Sequence, residues 1–256
     1  MLFSDTLFVG IDPTAGIKPF VYTAIDKDLN VVVTCDGTID ETLAFVASQK
    51  SAVIAVCSPR NPNTGLMADD QFRVNLSPIP KPGRWMNFRV VDYLLRVKNI
   101  RITQTSDIAD ECPKWMQMGF IFYQRLEEIG YRLYNPEGTA RAYIEVYPHA
   151  SYCSLLGHLP LQKATLEGRI QRQLVLFENF VNIPDPMRMF EEITRYRLLK
   201  GILPTEELYS PGELDALVAA YTARVLVVNP ASAILIGHPD EGQIVIPVST
   251  LKEQYS

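Results

Sequence analysis

The sequence contains few of the residues that mark metal scaffolds and secreted proteins. Its 256 residues include four cysteines and three histidines, and no two cysteines form a CxxC pair. Structural zinc sites usually contain such closely spaced ligands, so a zinc scaffold is not expected. Widely separated cysteines are typical of a reducing compartment, and no basic segment precedes the first apolar residues, as it would in a signal peptide. We therefore expect a cytoplasmic protein.

Long apolar runs and an excess of basic residues are also missing. The best candidate for a membrane span, residues 214–228, is interrupted by Asp215 and Arg224, so no membrane partner is expected. The formal net charge is −5. Such a chain has no large basic surface, which disfavours tight non-specific binding to duplex nucleic acid. A local basic patch that contacts nucleic acid remains possible.

The composition is that of a folded globular protein, with 47% hydrophobic residues. Apolar runs predict strands at residues 7–11, 20–25, 31–34, 52–56, 142–147 and 242–247, with a hairpin between the second and third and the last as an edge strand. Helical spacing predicts helices at residues 40–49 (with Asp40 as the N-cap), 86–98, 115–129, 150–156, 168–178, 187–199 and 211–227. Residues 1–256 are expected to form one α/β domain with a largely helical insertion at about 60–140.

Three acidic residues lie on separate predicted elements. Asp12 ends the first strand, Glu145 lies in the fifth, and Asp215 is embedded in the apolar helix 211–227. An isolated buried carboxylate is costly, so Asp215 must be solvated, paired or bound to a cation. Acids gathered at a sheet edge would suit Mg²⁺. The alternatives are that Asp215 faces water near the helix N-terminus, or that it belongs to a structural ion pair.

Four segments carry a resemblance to a known family. They are FVGID at 8–12, AVCSPR at 55–60, IEVYPH at 144–149 and DALVAAYTA at 215–223. In this order they resemble the domain-of-unknown-function family 429, regarded as predicted nucleases with a ribonuclease H-like fold. Lys163, Gly168 and Arg172 look like that family's helix after the glutamate strand. The resemblance spans most of the chain and is weak between residues 60 and 140.

The resemblance implies a fold and a site. The fold is α/β, a ribonuclease H-like mixed sheet flanked by helices. The site is formed by Asp12, Glu145 and Asp215 as catalytic acids that hold Mg²⁺ or Mn²⁺. One position departs from the pattern, since Cys57 stands where the strand usually delivers an aspartate. A thiolate is a soft ligand and a poor substitute for carboxylate at magnesium, so the site is expected to be weakened, altered in metal choice or no longer catalytic. Cys57 could instead be a nucleophile, but no sequence signature supplies a partner base, and a structural thiol is favoured.

Two further residues are candidates for substrate binding. Arg60 follows the strand that ends near Cys57, and His149 follows the strand that contains Glu145. Arg60, Arg84 and Arg89 could contact phosphates around the site, although solvated or paired arginines are the usual case. His149 shows no metal-ligand spacing with the other histidines.

The leading hypothesis is a metal-dependent nuclease that hydrolyses phosphodiesters with two Mg²⁺ ions. One alternative is a non-catalytic binding or regulatory protein on the same scaffold. Another is a phosphotransfer enzyme of the actin-like ATPase or sugar kinase type. The last predicts glycine-rich phosphate loops, whereas the only glycine soon after Asp12 is Gly16. No residue pattern specifies the substrate or an oligomeric state.

Overall fold

A computed structural model of the chain describes residues 6–14, 19–138 and 140–256. Gly16 and the first five residues lie outside this range. The described residues form an eight-stranded sheet flanked by helices. The strands are β1 (Leu7–Asp12), β2 (Phe20–Ile25), β3 (Val31–Gly37), β4 (Ala52–Val56), β5 (Arg132–Leu133), β6 (Arg141–Val146), β7 (Ile234–His238) and β8 (Gly242–Ile246). The α-helices are α1 (Ile39–Ala47), α2 (Asp70–Arg73), α3 (Val90–Val97), α4 (Lys114–Glu128), α5 (Pro148–Leu156), α6 (Leu166–Glu178), α7 (Arg188–Glu192), α8 (Arg195–Leu199) and α9 (Pro211–Val228).

The sheet is mixed, with strand order β3-β2-β1-β4-β6-β8-β7 and β5 paired to β6. Strands β1, β4, β6 and β8 are parallel to one another, while β2 is antiparallel to β1 and to β3. This confirms the predicted α/β class and the hairpin between the second and third strands. Because β1, β4 and β6 are parallel, their carboxyl ends meet at one edge of the sheet.

Two helical layers cover the two faces of the sheet. Side chains alternate along a strand, so Phe8 and Ala55 face one side and pack against α9, α5 and α6. Val9 and Ile54 face the other side and pack against α1 and α4. We call these sides the α9 face and the α4 face. A third apolar cluster joins α3 to β7, β8 and the last residues of the chain.

Helix α9 lies directly on the sheet and confirms the prediction for residues 211–227. Ser210 caps its N-terminus by accepting the Glu213 N–H, and Pro211 occupies the first helical position, where a missing N–H costs nothing. Gly10 of β1 permits the close approach, because a Cβ there would collide with the carbonyl of Ala216. Within the described residues, no helix has the length and apolarity to span a membrane.

Three boundaries differ from the predictions for local reasons. Helix α1 is capped by Thr38 rather than Asp40, since Thr38 and Glu41 form a reciprocal capping box. The predicted helix at 86–98 begins only at Val90. The predicted helix at 187–199 is divided into α7 and α8, because Thr194 is extended and caps a new helix by accepting the Arg197 N–H.

The predicted edge strand at 242–247 is an interior strand. It corresponds to β8, which lies between β6 and β7. Strand β7 follows the Asn229–Pro230 break and contains Gly237, so its short apolar run was not predicted as a strand. Strand β7 pairs with β8 and forms the edge of the sheet instead.

Candidate functional site

A cavity of about 510 Å³ opens at the carboxyl ends of β1, β4 and β6. Ligands of open α/β sheets usually bind outside these strand ends, and the volume lies in the range of small-molecule sites. The lining residues come from strand ends, the loop before α6, α6 and α9, and the segment between β4 and β6. They are Asp12, Cys57, Arg101, Trp115, Tyr147, Pro148, His149, Pro160, Leu161, Gln162, Lys163, Arg172 and Asp215.

Asp12 and Asp215 meet in this cavity. Asp12 shares the α9 face with Phe8 and Gly10 because alternate residues of β1 point the same way. Its Oδ2 lies 3.7 Å from where a Cβ on Gly212 would sit, in the first turn of α9. Asp215 follows one turn later in the same helix and is buried. The structure thus brings two of the three predicted acids together.

The two carboxylates share one lysine. Lys163 Nζ donates to Asp215 Oδ2 at 2.7 Å. Burial and the charge of Asp215 raise the pKa of Asp12 to about 6, although Lys163 and the Thr14 N–H oppose the rise. Burial also raises the pKa of Asp215, again against Lys163. Two buried carboxylates thus have one lysine between them, so negative charge is in excess when both are ionised, a condition that favours binding of a cation.

Cys57 lies beside this pair as a neutral thiol. It shares the α9 face with Ala55 and lines the cavity. Its Sγ donates to the Asp215 carbonyl oxygen at 3.6 Å. Burial and the nearby charges of Asp12 and Asp215 raise the pKa of the thiol well above its usual value. A protonated thiol is a poor metal ligand.

Glu145 does not join Asp12 and Asp215. In the parallel register it pairs with Val56, and both residues face away from α9. Its carboxylate receives two bonds from Arg89, at 2.7 and 3.2 Å, and a third from the Arg60 N–H at 3.1 Å. The expected convergence of three acids is therefore corrected to two, because the strand alternation turns Glu145 to the other side of the sheet.

Four buried charged residues form what we call the Arg89 cluster: Arg89, Asp92, Glu145 and Glu241. Each acid in it has donors from the protein. Glu241 accepts the Val90 N–H at 2.6 Å, and Asp92 accepts from Arg89 at 3.4 Å and from the Thr105 N–H at 3.3 Å. Burial raises the pKa of Asp92 to about 6, although Arg89 opposes the rise. Of the two alternatives considered for Arg89, a phosphate contact or an ion pair, the structure shows the ion pair, which ties α3 to β6.

The two predicted substrate-binding residues, Arg60 and His149, line different cavities. Arg60 lines a second cavity, of about 80 Å³, together with Glu145 and Tyr143. His149 lines the main cavity beside Asp12 and Asp215. Burial and the positive charges of nearby cationic side chains lower the pKa of His149 to about 4, so its imidazole is neutral at pH 7.

Arg101 and Trp115 are among the lining residues that sequence reasoning missed. Both belong to the segment between β4 and β6, where the resemblance is weak and no periodic pattern points to a site. Lys163 and Arg172 were noted only for their resemblance to a family helix, and the structure places both in the cavity lining.

The two carboxylates suit one hard divalent cation that takes its remaining ligands from water and substrate. Among the residues that the structure describes, no group of three or more His, Cys, Asp or Glu side chains is arranged to hold a metal. Mg²⁺ in enzymes is commonly held by one or two carboxylates, with water and substrate phosphate completing the shell. Asp12 and Asp215 fit that requirement, and Cys57 does not.

Comparison with known proteins identifies a family and little else. No curated protein matches the chain. No solved structure matches it. One family model, described as "Protein of unknown function (DUF429)", matches residues 10–241. That range contains Asp12, Cys57, Glu145 and Asp215 and covers most of the chain, so the protein belongs to the DUF429 family.

Proposed function

We propose that this protein is a metal-dependent phosphodiesterase that hydrolyses nucleic acid, built on a ribonuclease H-like sheet. One observation carries the proposal: Asp12 and Asp215 line the same cavity, and the other charged residues that line it are cationic. Carboxylates suit a divalent cation and cationic side chains suit a phosphate. Both kinds of group line one cavity.

Asp12 and Asp215 would hold Mg²⁺ or Mn²⁺. When bound, such an ion polarises a phosphoryl oxygen and lowers the pKa of a water molecule. The raised pKa of Asp12 reflects burial and repulsion from Asp215, and a cation held by these residues would offset that repulsion. Glu145 lies outside this proposed ligand set because Arg89 already occupies both of its oxygens.

Lys163 and His149 would orient the substrate. The Lys163 side chain is 55% exposed, so it can turn from Asp215 to a phosphate oxygen once a metal ion neutralises the acids. Lysine binds phosphate as a mobile point charge. The neutral imidazole of His149 retains one N–H donor and one acceptor and can bond a sugar hydroxyl or a phosphate oxygen at the cavity wall.

A second candidate is a non-catalytic binding protein on the same scaffold. Two observations favour it: Cys57 places a thiol where the family pattern has an acid, and Glu145 is enclosed by Arg89. Such a protein would bind nucleic acid through the cavity cations and leave it intact.

Cleavage assays distinguish these functions. Single-stranded, duplex and branched substrates are assayed, and at least one should be cleaved with Mg²⁺ or Mn²⁺ while none is cleaved with EDTA. Asp12→Asn and Asp215→Asn should each lower the rate about a hundredfold or more, at least the loss seen when metal-ligand support is removed. Asp36→Asn, at an exposed position of β3, removes the same charge and should leave the rate unchanged. Metal-independent cleavage, or equal rates in all three variants, would contradict the proposal.

A further inference from the structure

Arg172 of α6 is a buried guanidinium that forms no ion pair within the described residues. The residue is 3% exposed and lines the main cavity. Its Nη1 donates to the carbonyl oxygens of Leu161 at 2.8 Å and Gly168 at 2.9 Å. Its Nε has no hydrogen-bond partner. No carboxylate in the described part of the chain forms an ion pair with it.

An unpaired buried charge is unusual because its desolvation is not compensated. Arg89 shows the usual solution, since Glu145 and Asp92 both pair with it. Arg172 has only neutral carbonyl acceptors and the ring of Tyr152, whose centroid lies 5.2 Å from its Cζ. These contacts fix the guanidinium in place, while Asp215, whose charge also acts on Arg172, forms no ion pair with it and is bonded to Lys163. The missing partner is therefore expected to be an anionic ligand.

The surroundings of Arg172 support an anion in the cavity. Lys163 and Arg101 line the same cavity. Besides burial, the charges of Arg172, Lys163 and Arg101 lower the pKa of His149, so this part of the lining carries a positive potential. A divalent cation on Asp12 and Asp215 would make the whole lining more positive.

We propose that Arg172 binds a terminal phosphate of the substrate, either at the end of a nucleic-acid strand or on a mononucleotide. The inference rests on the proposed function and adds to it the class of substrate. Arginine pairs with phosphate through parallel N–H donors, and Nε is an unused donor here.

The depth of Arg172 explains why the phosphate is a terminal one. An internal phosphate of a duplex is flanked by nucleotides on both sides and lies on a convex backbone. A guanidinium that is 3% exposed in the wall of a cavity of about 510 Å³ is reached by a group that enters end first. A chain end or a single nucleotide meets that requirement.

Calorimetric titration of the whole chain in EDTA tests this without any hydrolysis. The probes are inorganic phosphate, deoxyadenosine monophosphate, and one short single strand with a 5′-phosphate, with a 3′-phosphate or with hydroxyls at both ends. Ionic strength is held constant with chloride. Arg169→Gln is the matched control, because Arg169 lies in the same helix, binds the carbonyls of Leu208 and Tyr209, and is not in the cavity lining.

The wild type should bind phosphate and the phosphorylated strands more tightly than the unphosphorylated strand. Arg172→Gln should weaken phosphate binding about tenfold or more, as expected for loss of charge-assisted hydrogen bonds. Arg169→Gln should not weaken it. Arg172→Lys keeps the charge and loses the paired donors, so its affinity should be intermediate. If circular dichroism shows that Arg172→Gln does not fold, Arg172→Lys is compared with Arg169→Gln in its place.

Two results would overturn the inference: equal affinities of Arg172→Gln and Arg169→Gln, or no gain from a terminal phosphate. Failure of the proposed function looks different. If the wild type binds terminal phosphate through Arg172 and never cleaves nucleic acid with metal present, the inference stands and the nuclease proposal fails. If it cleaves strands with metal but is indifferent to their terminal phosphates, the nuclease proposal stands and the inference fails.

Discussion

The protein buries acids in two places, and their surroundings differ. In the main cavity, Asp12 and Asp215 share Lys163, whose side chain is 55% exposed. In the Arg89 cluster, Glu145 is bound at both oxygens by a guanidinium that is fully buried. The first pair faces a large cavity, and the second is enclosed between α3 and the sheet.

The difference shows that burial of an acid does not by itself mark a ligand site. What distinguishes the two places is the supply of donors. Each acid of the Arg89 cluster accepts from arginine, a backbone N–H or a hydroxyl. Asp12 and Asp215 are left with an excess of negative charge beside open space. We therefore infer a structural role for the Arg89 cluster and propose ligand binding for Asp12 and Asp215.

The largest expected effect is in the Arg89 cluster. Arg89→Met should lower the free energy of unfolding by about 3–5 kcal/mol, because it leaves Glu145 and Asp92 as buried charges without their partner. Urea denaturation at pH 7 measures this. Arg125→Met is the control, since Arg125 pairs with Asp40 at the surface and its loss should cost no more than about 1 kcal/mol. Equal losses in the two variants would remove the distinction between the clusters.

In the main cavity, we expect removal of a charged side chain to raise the free energy of unfolding instead of lowering it. The folded-state pKa of Asp12 is about 6, against 3.8 for the free side chain, so the folded protein binds more protons than the unfolded chain between these values. Its stability therefore falls as pH rises through this window. Without metal at pH 8, Asp12→Asn should raise the free energy of unfolding by about 1–3 kcal/mol.

The pH dependence separates Asp12 from Asp92, whose pKa is also about 6. The wild type should lose stability as pH rises from 4 to 6 through Asp12, Asp92 and Asp215, whose pKa is raised as well, whereas Asp12→Asn should retain only the shares of Asp92 and Asp215. The difference between the two curves should grow with pH and level off above about pH 6. A difference that does not change with pH would mean that the pKa of Asp12 is not raised in the folded protein.

A smaller effect is expected from adding a third acid to the cavity. Cys57→Asp places a hard oxygen ligand beside Asp12 and Asp215, on the α9 face, and should tighten Mg²⁺ binding by about tenfold, or 1.4 kcal/mol. The variant should be less stable than the wild type without metal, because like charges repel. Cys57→Asn has the same shape without the charge and should not gain affinity in calorimetric titration. If both variants bind Mg²⁺ like the wild type, Cys57 only packs the core.

Much of the fold follows from local pattern. Apolar runs predicted six strands that the structure contains, and the Ser210–Pro211 pair marked the start of α9. Two strands were not predicted: β5, which has only two residues, and β7, whose short apolar run follows a proline and includes Gly237. The division of residues 187–199 depends on the extended backbone of Thr194, which helical spacing does not reveal.

The site was predictable only in part. The sequence placed Asp12 at a strand end and Asp215 in an apolar helix, and both reach the cavity. The direction in which Glu145 points depends on the register of β4 against β6, and a one-residue shift would reverse it. Its partner, Arg89, lies 56 residues away in the chain, so no local pattern joins them.

The most direct test of the account is anomalous diffraction from crystals of the wild-type protein soaked in Mn²⁺. The account predicts a manganese peak in contact with the carboxylates of Asp12 and Asp215, with Lys163 turned away from Asp215 and the Arg89–Glu145 pair unchanged. A peak bound by Glu145, or no peak beside Asp12 and Asp215 at saturating Mn²⁺, would contradict it.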